Sequence, residues 1–257
     1  MVSCDDTAVC ILSGDRRVLS SRRYANREVQ NRLGGICPSL AAEQHRSYID
    51  RFVNECLKES GRRLSDLDAV AVTTRPGLVI ALKVGISKAL SLAREGHIQF
   101  VNVHHMQAHA TVASLLYPQL HYPYVCVLIS GGHALIAVAY GPADFDILAS
   151  SLSGSPGECL DKLARALPPS AFQFGYSHLG AALEQLASNA LQKVGGAYGY
   201  SVLAPPARLC CDNAEMVAWN GIELIRTRSA IPFSTRIVPV LGIDLLFILC
   251  SCALVAF

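Results

Sequence analysis

Over residues 8 to 116, short apolar runs alternate with stretches of helical period, and this alternation constrains the fold more than any other feature of the chain. Ala8 to Leu12, Ala69 to Thr74 and Ile98 to Val103 read as short buried strands. Ser39 to Ser60 carries Ile49, Phe52, Val53, Cys56 and Leu57 at helical spacing before Gly61, which predicts a helix with one apolar face that stops at the glycine. Leu78 to Arg94 predicts a second helix, and His105 to Leu116 a third that starts directly off a strand. This order predicts α/β layering. From Tyr124 the pattern becomes strand, glycine turn, strand: Tyr124 to Ser130, Gly131-Gly132, then Ala134 to Tyr140, with Phe145 to Ser150 adding a further strand. A hairpin beside α/β units predicts a mixed sheet. Gly157 to Leu167, Ala181 to Leu191 and Leu209 to Ile225 read as helices.

Composition excludes several classes. With 51% hydrophobic and 16% charged residues in 257, the chain can bury a real core and is neither disordered nor fibrous. A net charge of +2 is too weak a bias to demand a nucleic-acid partner, although a local basic patch can still hold one. The ten cysteines are irregularly spaced and form no zinc-ribbon framework, so they read as reduced thiols of an intracellular protein. Residues 1 to 30 contain Asp5, Asp6 and five arginines and no long apolar core, which argues against a secretory signal. Early aspartates also argue against a transit peptide, leaving a cytosolic chain or one whose leader is absent. Ile237 to Phe257 is almost wholly apolar, and as a helix it would span roughly 30 Å, about the thickness of a bilayer core.

His105 and His109 stand four apart on a predicted helix, so both imidazoles point to one face and can grip one metal ion. The spacing is common, and a pair of ordinary histidines is the competing reading. A zincin protease needs Glu directly after the first histidine as general base, and Met106 stands there. Asp212, in Cys211-Asp212-Asn213, can supply a third, oxygen ligand or simply cap a helix. The Gly131-Gly132 pair lets backbone N–H groups approach an anion, or else makes a plain hairpin turn. Asp5, Asp6 and Thr7 suit a phosphate-handling turn or a surface loop. Gly157-Glu158 with Asp161-Lys162 can offer a carboxylate to a ribose hydroxyl, or form the solvated face of a helix.

The order of these segments resembles one family. Ser3-Cys4-Asp5-Asp6-Thr7, Gly34-Gly35-Ile36-Cys37-Pro38 with His45, Pro76-Gly77-Leu78, His104-His105-Met106-Gln107-Ala108-His109, Ile129-Ser130-Gly131-Gly132-His133, Gly157-Glu158-Cys159-Leu160-Asp161-Lys162 and Pro205-Pro206-Ala207-Arg208-Leu209-Cys210-Cys211-Asp212-Asn213 resemble the motifs of the tRNA threonylcarbamoyladenosine transferases, nearer the bacterial and mitochondrial branch. The resemblance implies an actin-like, sugar-kinase-like and Hsp70-like α/β fold of two lobes around a nucleotide. It implies an acyltransferase that moves the threonylcarbamoyl group from threonylcarbamoyl-AMP to N6 of adenosine 37 in tRNAs reading ANN codons. His105, His109 and Asp212 would ligate one divalent metal, whether iron, zinc or magnesium. Leu128, Ile129, Ser130, Gly131, Gly132, Asp161, Gly180 and Asn189 would line the site of the intermediate. A homodimer and a mitochondrial location, with the cytoplasm as the alternative, are implied in the same way.

Four departures qualify the resemblance. The family has a full strand before its Ser-Cys-Asp-Asp where only Met1 and Val2 stand here, so a gap is expected in the N-terminal lobe. Between Leu186 and Val202 a long helical stretch is missing, with Asn189 joined across it. Gln107 replaces a usual Glu near the metal. Ile237 to Phe257 replaces a short polar tail; Asp244 costs roughly 2.5–3.5 kcal/mol to insert, which the leucines and isoleucines around it can offset, and a transcript artefact is preferred to a membrane anchor. The expected organisation is an N-terminal lobe over 1–106, a shortened C-terminal lobe over 107–228 and an apolar tail over 229–257. Two other readings remain: an inactive isoform that partners the full-length enzyme, and a metalloprotease, an activity once attributed to this family.

Overall fold

The computed structural model describes residues 6–26, 28–29, 37–130, 134–152, 193, 196–198, 202–227 and 250–251. The helices expected at 157–167 and 181–191, with Gly131, Gly132, Asp161, Gly180 and Asn189, lie outside the described residues, as does nearly all of the apolar tail. The backbone divides into two compact units, Met1–Leu115 with Asp212–Ile243, and Leu116–Cys211 with Asp244–Phe257.

In the first unit, β1 (Thr7–Leu12) pairs antiparallel with β2 (Val18–Tyr24), from Thr7 opposite Tyr24 to Leu12 opposite Val18. The helix α1 (Pro38–Ser60) follows, with proline in its first turn, where a missing N–H costs nothing. It ends where Gly61 turns left-handed at φ 64, its N–H on the Lys58 carbonyl and that of Arg62 on the Leu57 carbonyl, so two orphan carbonyls are satisfied. A strand β3 (Ala69–Arg75), a helix α2 (Val79–Gly96) and a strand β4 (Gln99–His104) form a right-order βαβ unit, with β3 and β4 parallel and Ala69 opposite Gln99. The helix α3 (His105–Leu116) begins on the residue after β4, with no linker.

The region read as one helix from Leu209 to Ile225 is instead two. A short α4 (Ala207–Cys210) stops, and α5 (Ala214–Arg226) starts after a break at Cys211–Asn213. Asn213 is the reason: its backbone is extended, and its side-chain oxygen accepts the Met216 N–H at 2.8 Å, so it nucleates a fresh helix. The cap is Asn213 rather than Asp212.

Side chains alternate across β3 and fix the layering of the first unit. Val70 and Val72 pack with Leu82, Ile86 and Ala89 of α2 on one face. On the opposite face, Ala71 lies under Gly221 of α5, so close that a Cβ at Gly221 would fall 2.6 Å from the Ala71 Cβ. Helices therefore cover both faces of the strands.

The second unit holds an antiparallel sheet, as the hairpin pattern predicts. Here β5 (Tyr124–Ser130) pairs with β6 (Ala134–Ala139), Tyr124 opposite Ala139, and β6 pairs with β7 (Phe145–Ser150). Tyr124, Cys126 and Leu128 are buried at alternate positions of β5. A two-residue strand β8 (Cys250–Ser251) lies against Ile129 and Ser130 on the other edge of β5. No helix among the described residues is long and apolar enough to cross a membrane. Among those residues Cys10, Cys37, Cys56, Cys126, Cys210 and Cys211 are in no disulfide.

Candidate metal centre

His105 and His109 sit on the first turns of α3, one helical turn apart, both essentially without solvent exposure. Their rings meet edge to face at 4.7 Å between centroids, and their Nε2 atoms are 3.3 Å apart. Asp212, 6% exposed, brings its Oδ1 to 3.2 Å from each Nε2. Two histidines and an aspartate 103 residues further along thus converge on one point in the first unit.

Long-range contacts hold this arrangement. The Trp219 indole N–H donates to Ser114 Oγ at 2.7 Å, and Asn220 Nδ2 donates to Thr111 Oγ1 at 3.2 Å, which ties α5 to α3 along two turns. The guanidinium groups of Arg16 and Arg226 lie 5.0 and 5.4 Å from the Trp219 ring, and Arg16 also donates to the Ser114 carbonyl. Because Asp212 immediately precedes the Asn213 cap, anchoring α5 also fixes the carboxylate.

Burial alone would push the Asp212 carboxyl upward. The charge of His105 and the hydrogen bonds from both imidazoles outweigh it and hold the group well below the usual carboxylate range. Neighbouring His104 is pushed down to about 4 by burial, then by Arg75, its partner in the β3–β4 register, and by His105.

Three lone-pair atoms this close in a dry site repel one another unless a proton or a cation lies among them. Their separations of 3.2–3.3 Å lie close to the roughly 3.3–3.6 Å edges of a tetrahedral shell, and a little above the roughly 2.8–3.1 Å edges of an octahedral one, with ligand bonds of about 2.0–2.2 Å. The donor set fits a metal ion, and all three ligand atoms lie within 4.8 Å of one another. Among the described residues none accepts from His105 Nδ1, so the usual outer hydrogen bond of a ligating histidine is not provided by them. Met106 follows His105 in the helix, so no carboxylate stands where a zincin base would.

Of the other residues singled out in the sequence, Leu128, Ile129 and Ser130 form the end of β5 in the second unit, with Leu128 buried and Ile129 partly so. Asp6 is buried and takes a two-pronged contact from Arg23, Nε to Oδ1 at 3.0 Å and Nη2 to Oδ2 at 3.3 Å. Thr7 Oγ1 lies 2.7 Å from His45 Nδ1 and accepts from Gln44 Nε2 at 3.2 Å. The Asp6-Thr7 turn is thus built into β1, β2 and α1 rather than lying on a surface loop. Arg23, Gln44 and Arg75 were not legible as partners, because strand pairing and helix packing bring them in from distant positions. Gln107 contributes its carbonyl to Thr111 within α3.

A sequence profile described as tRNA N6-adenosine threonylcarbamoyltransferase matches residues 17–174. A probable mitochondrial tRNA N6-adenosine threonylcarbamoyltransferase of Caenorhabditis elegans is 45% identical over 230 residues, 88% of this chain and 54% of that protein. The corresponding mitochondrial protein of Homo sapiens is 42% identical over 165 residues, 64% of this chain and 40% of that one. A bacterial relative from Paracoccus denitrificans is 29% identical over 337 aligned positions that cover 93% of this chain and 94% of the relative. The chain spans about half the length of the animal relatives it matches. With more than half of its residues inside the matched profile, the chain belongs to the tRNA N6-adenosine threonylcarbamoyltransferase family.

Proposed function

We propose that this chain serves tRNA threonylcarbamoyladenosine modification, moving the threonylcarbamoyl group of threonylcarbamoyl-AMP onto N6 of adenosine 37 in tRNAs that read ANN codons. The observation that carries this reading is the convergence of His105, His109 and Asp212 in a chain of this family. One divalent ion is the cofactor, and two imidazoles with one carboxylate favour iron or zinc over magnesium. When bound, the ion supplies a Lewis acid and a template for the phosphate and carbonyl oxygens of the donor. The protein's own part is to align the two imidazoles on α3, to hold a carboxylate ionised in a dry place, and to leave room for substrate at the ion.

In this reading the fold is the actin-like, two-lobed one of sugar kinases and Hsp70 proteins. Leu128, Ile129, Ser130, Gly131, Gly132, Asp161, Gly180 and Asn189 line the site of the adenylate. The location is mitochondrial, as the names of the animal relatives suggest. The partners are tRNA and a second copy of the chain.

The test is threonylcarbamoyl transfer to an ANN-decoding tRNA by the full chain, with His105→Ala beside it. The expected result is transfer by the parent and none by the variant. Equal activity in both refutes the metal-centre role, and no activity in either leaves the non-catalytic partner as the better account.

A further inference from the structure

Thr73 of β3 is wholly buried, and its Oγ1 has no hydrogen-bond partner among the described residues. The same holds for Nδ1 of His105, a residue only 1% exposed. A buried donor left unserved costs about 1–3 kcal/mol. Both side chains lie on one face of the strands. Ala71 and Val101 are opposite each other in the β3–β4 register, and both lie against Gly221 of α5. A step of two residues stays on that face, so Thr73 and its register partner Val103 follow them. His105 follows Val103 where β4 becomes α3, and Val101, Val103 and His105 are buried in turn while Asn102 and His104 are partly exposed. Over the same face α5 runs the opposite way, since Gly221 lies over Ala71 while Asp212, just before the helix, reaches His105. Thr73 therefore stands between the Gly221 contact and the metal centre, one two-residue step short of the ligand. Strand spacings of about 6.6 Å along for two residues and about 4.8 Å across put the Cα atoms of Thr73 and His105 roughly 8 Å apart, a gap that two side chains and one water can span.

We propose that Thr73 is a positioning residue of the metal centre: through one bridging water its hydroxyl holds the Nδ1–H of His105 and so fixes the ring whose Nε2 faces Asp212 and His109. This rests on the metal-centre reading above. An imidazole that binds a metal through Nε2 carries its proton on Nδ1 and donates it, and the outer acceptor sets the tautomer, the ring orientation and the basicity of the ligand. The usual acceptor is a carboxylate, a backbone carbonyl or water. Among the described residues none meets His105 Nδ1 directly, and Thr73 offers a buried hydroxyl on the same face, one step away. A hydroxyl both donates and accepts, so it can anchor a water that accepts from His105. Two polar partners in an enclosed place are enough to retain a buried water. The choice of a hydroxyl has a chemical consequence. Unlike a carboxylate, it adds no negative charge to a centre that already contains Asp212, which leaves a bound ion the stronger Lewis acid.

Thr73→Val keeps the shape of the side chain, removes the hydroxyl and suits a strand, whereas Thr73→Ser keeps the hydroxyl. Zinc affinity of the full chain is measured by competition with a chromogenic chelator, and the cobalt-loaded protein is followed by its visible absorption. Thr73→Val should bind zinc about 10–100-fold more weakly than the parent and shift the cobalt band, and Thr73→Ser should restore both. In NMR spectra of the zinc-loaded parent, the His105 Nδ1–H should show cross-relaxation to water and to the Thr73 methyl group. Parental zinc affinity with an unchanged cobalt spectrum in Thr73→Val, equal losses in Thr73→Val and Thr73→Ser, or a His105 Nδ1–H without those two contacts overturns the proposal and leaves the metal centre standing. No zinc binding by the parent overturns both. If Thr73→Val does not fold, the serine variant and the NMR contacts of the parent decide.

Discussion

The contact between Gly221 and Ala71 can be tested by adding one methyl group. In an exposed helix the change Gly221→Ala would gain about 1 kcal/mol from backbone entropy alone. Here the new Cβ would stand 2.6 Å from the Ala71 Cβ and 4.0 Å from its Cα. Carbon atoms rest at about 3.5–4.0 Å, so a gap of roughly 1 Å must open. The Ala71 methyl is fixed to the β3 backbone and cannot swing aside. Relief requires α5 to lift, which strains the bonds from Trp219 to Ser114 and from Asn220 to Thr111. Overpacking of this kind costs about 1–3 kcal/mol, and the strained anchors add to it. The net expectation is a loss of about 1–2 kcal/mol, a fall of about 2–8 °C in melting temperature for a protein of this size. Trp219 is the sole tryptophan of the chain and lies on α5, so its fluorescence in a urea or thermal titration follows this helix directly. Ala71→Gly added to Gly221→Ala should recover part of the loss, with a coupling of about 0.5–3 kcal/mol in the double-mutant cycle. A higher melting temperature for Gly221→Ala, or no recovery in the double variant, would refute the close packing of α5 on β3.

Removing one ligand of the metal centre should act on affinity more than an outer-sphere change does: Asp212→Ala and His105→Ala should each weaken zinc binding by more than about 100-fold in calorimetric titrations. Trp219→Phe deletes the N–H that Ser114 accepts and leaves a void in a fully buried place, so a loss of about 1–3 kcal/mol is expected in circular-dichroism melts. The Asp66 carboxyl, pulled from 3.8 down to about 2 by hydrogen bonds from Arg63, adds stability that is present above pH 3.8. That contribution is lost as the pH falls toward 2, and Asp66→Asn should abolish this part of the acid response. An NMR titration of the Asp66 carboxyl checks the position of the shift.

Much of the first unit was legible because its strands and helices carry strong periodicity and clear stops. The expected limits of α1, α2 and α3 fall within one or two residues of those observed, and the Gly61 stop is real. The strand β2 was missed because Ser20, Ser21, Arg22 and Arg23 hide its pattern. Its polar side chains serve long-range partners, Ser20 and Arg22 reaching Glu59 of α1 and Arg23 reaching Asp6. The four-residue spacing of His105 and His109 places them on one helix face, yet nothing local to residue 212 says that it joins them. That came from the order of the motifs, and the break at Cys211–Asn213 was invisible to apolar periodicity because residues on both sides keep a helical pattern.

The separation of the three ligands along the chain has a thermodynamic consequence. His109 and Asp212 are 103 residues apart, and the whole second unit's segment from Leu116 to Cys211 runs between them. An ion gripped by both therefore acts as a reversible cross-link, since the unfolded chain cannot present the three ligands together without closing a long loop. Free ion at one hundred times its dissociation constant adds about 2.7 kcal/mol to the folded state. Against a total of about 5–15 kcal/mol for an ordinary domain, an ion held there would supply a sizeable share of the stability, and a chelator would remove that share.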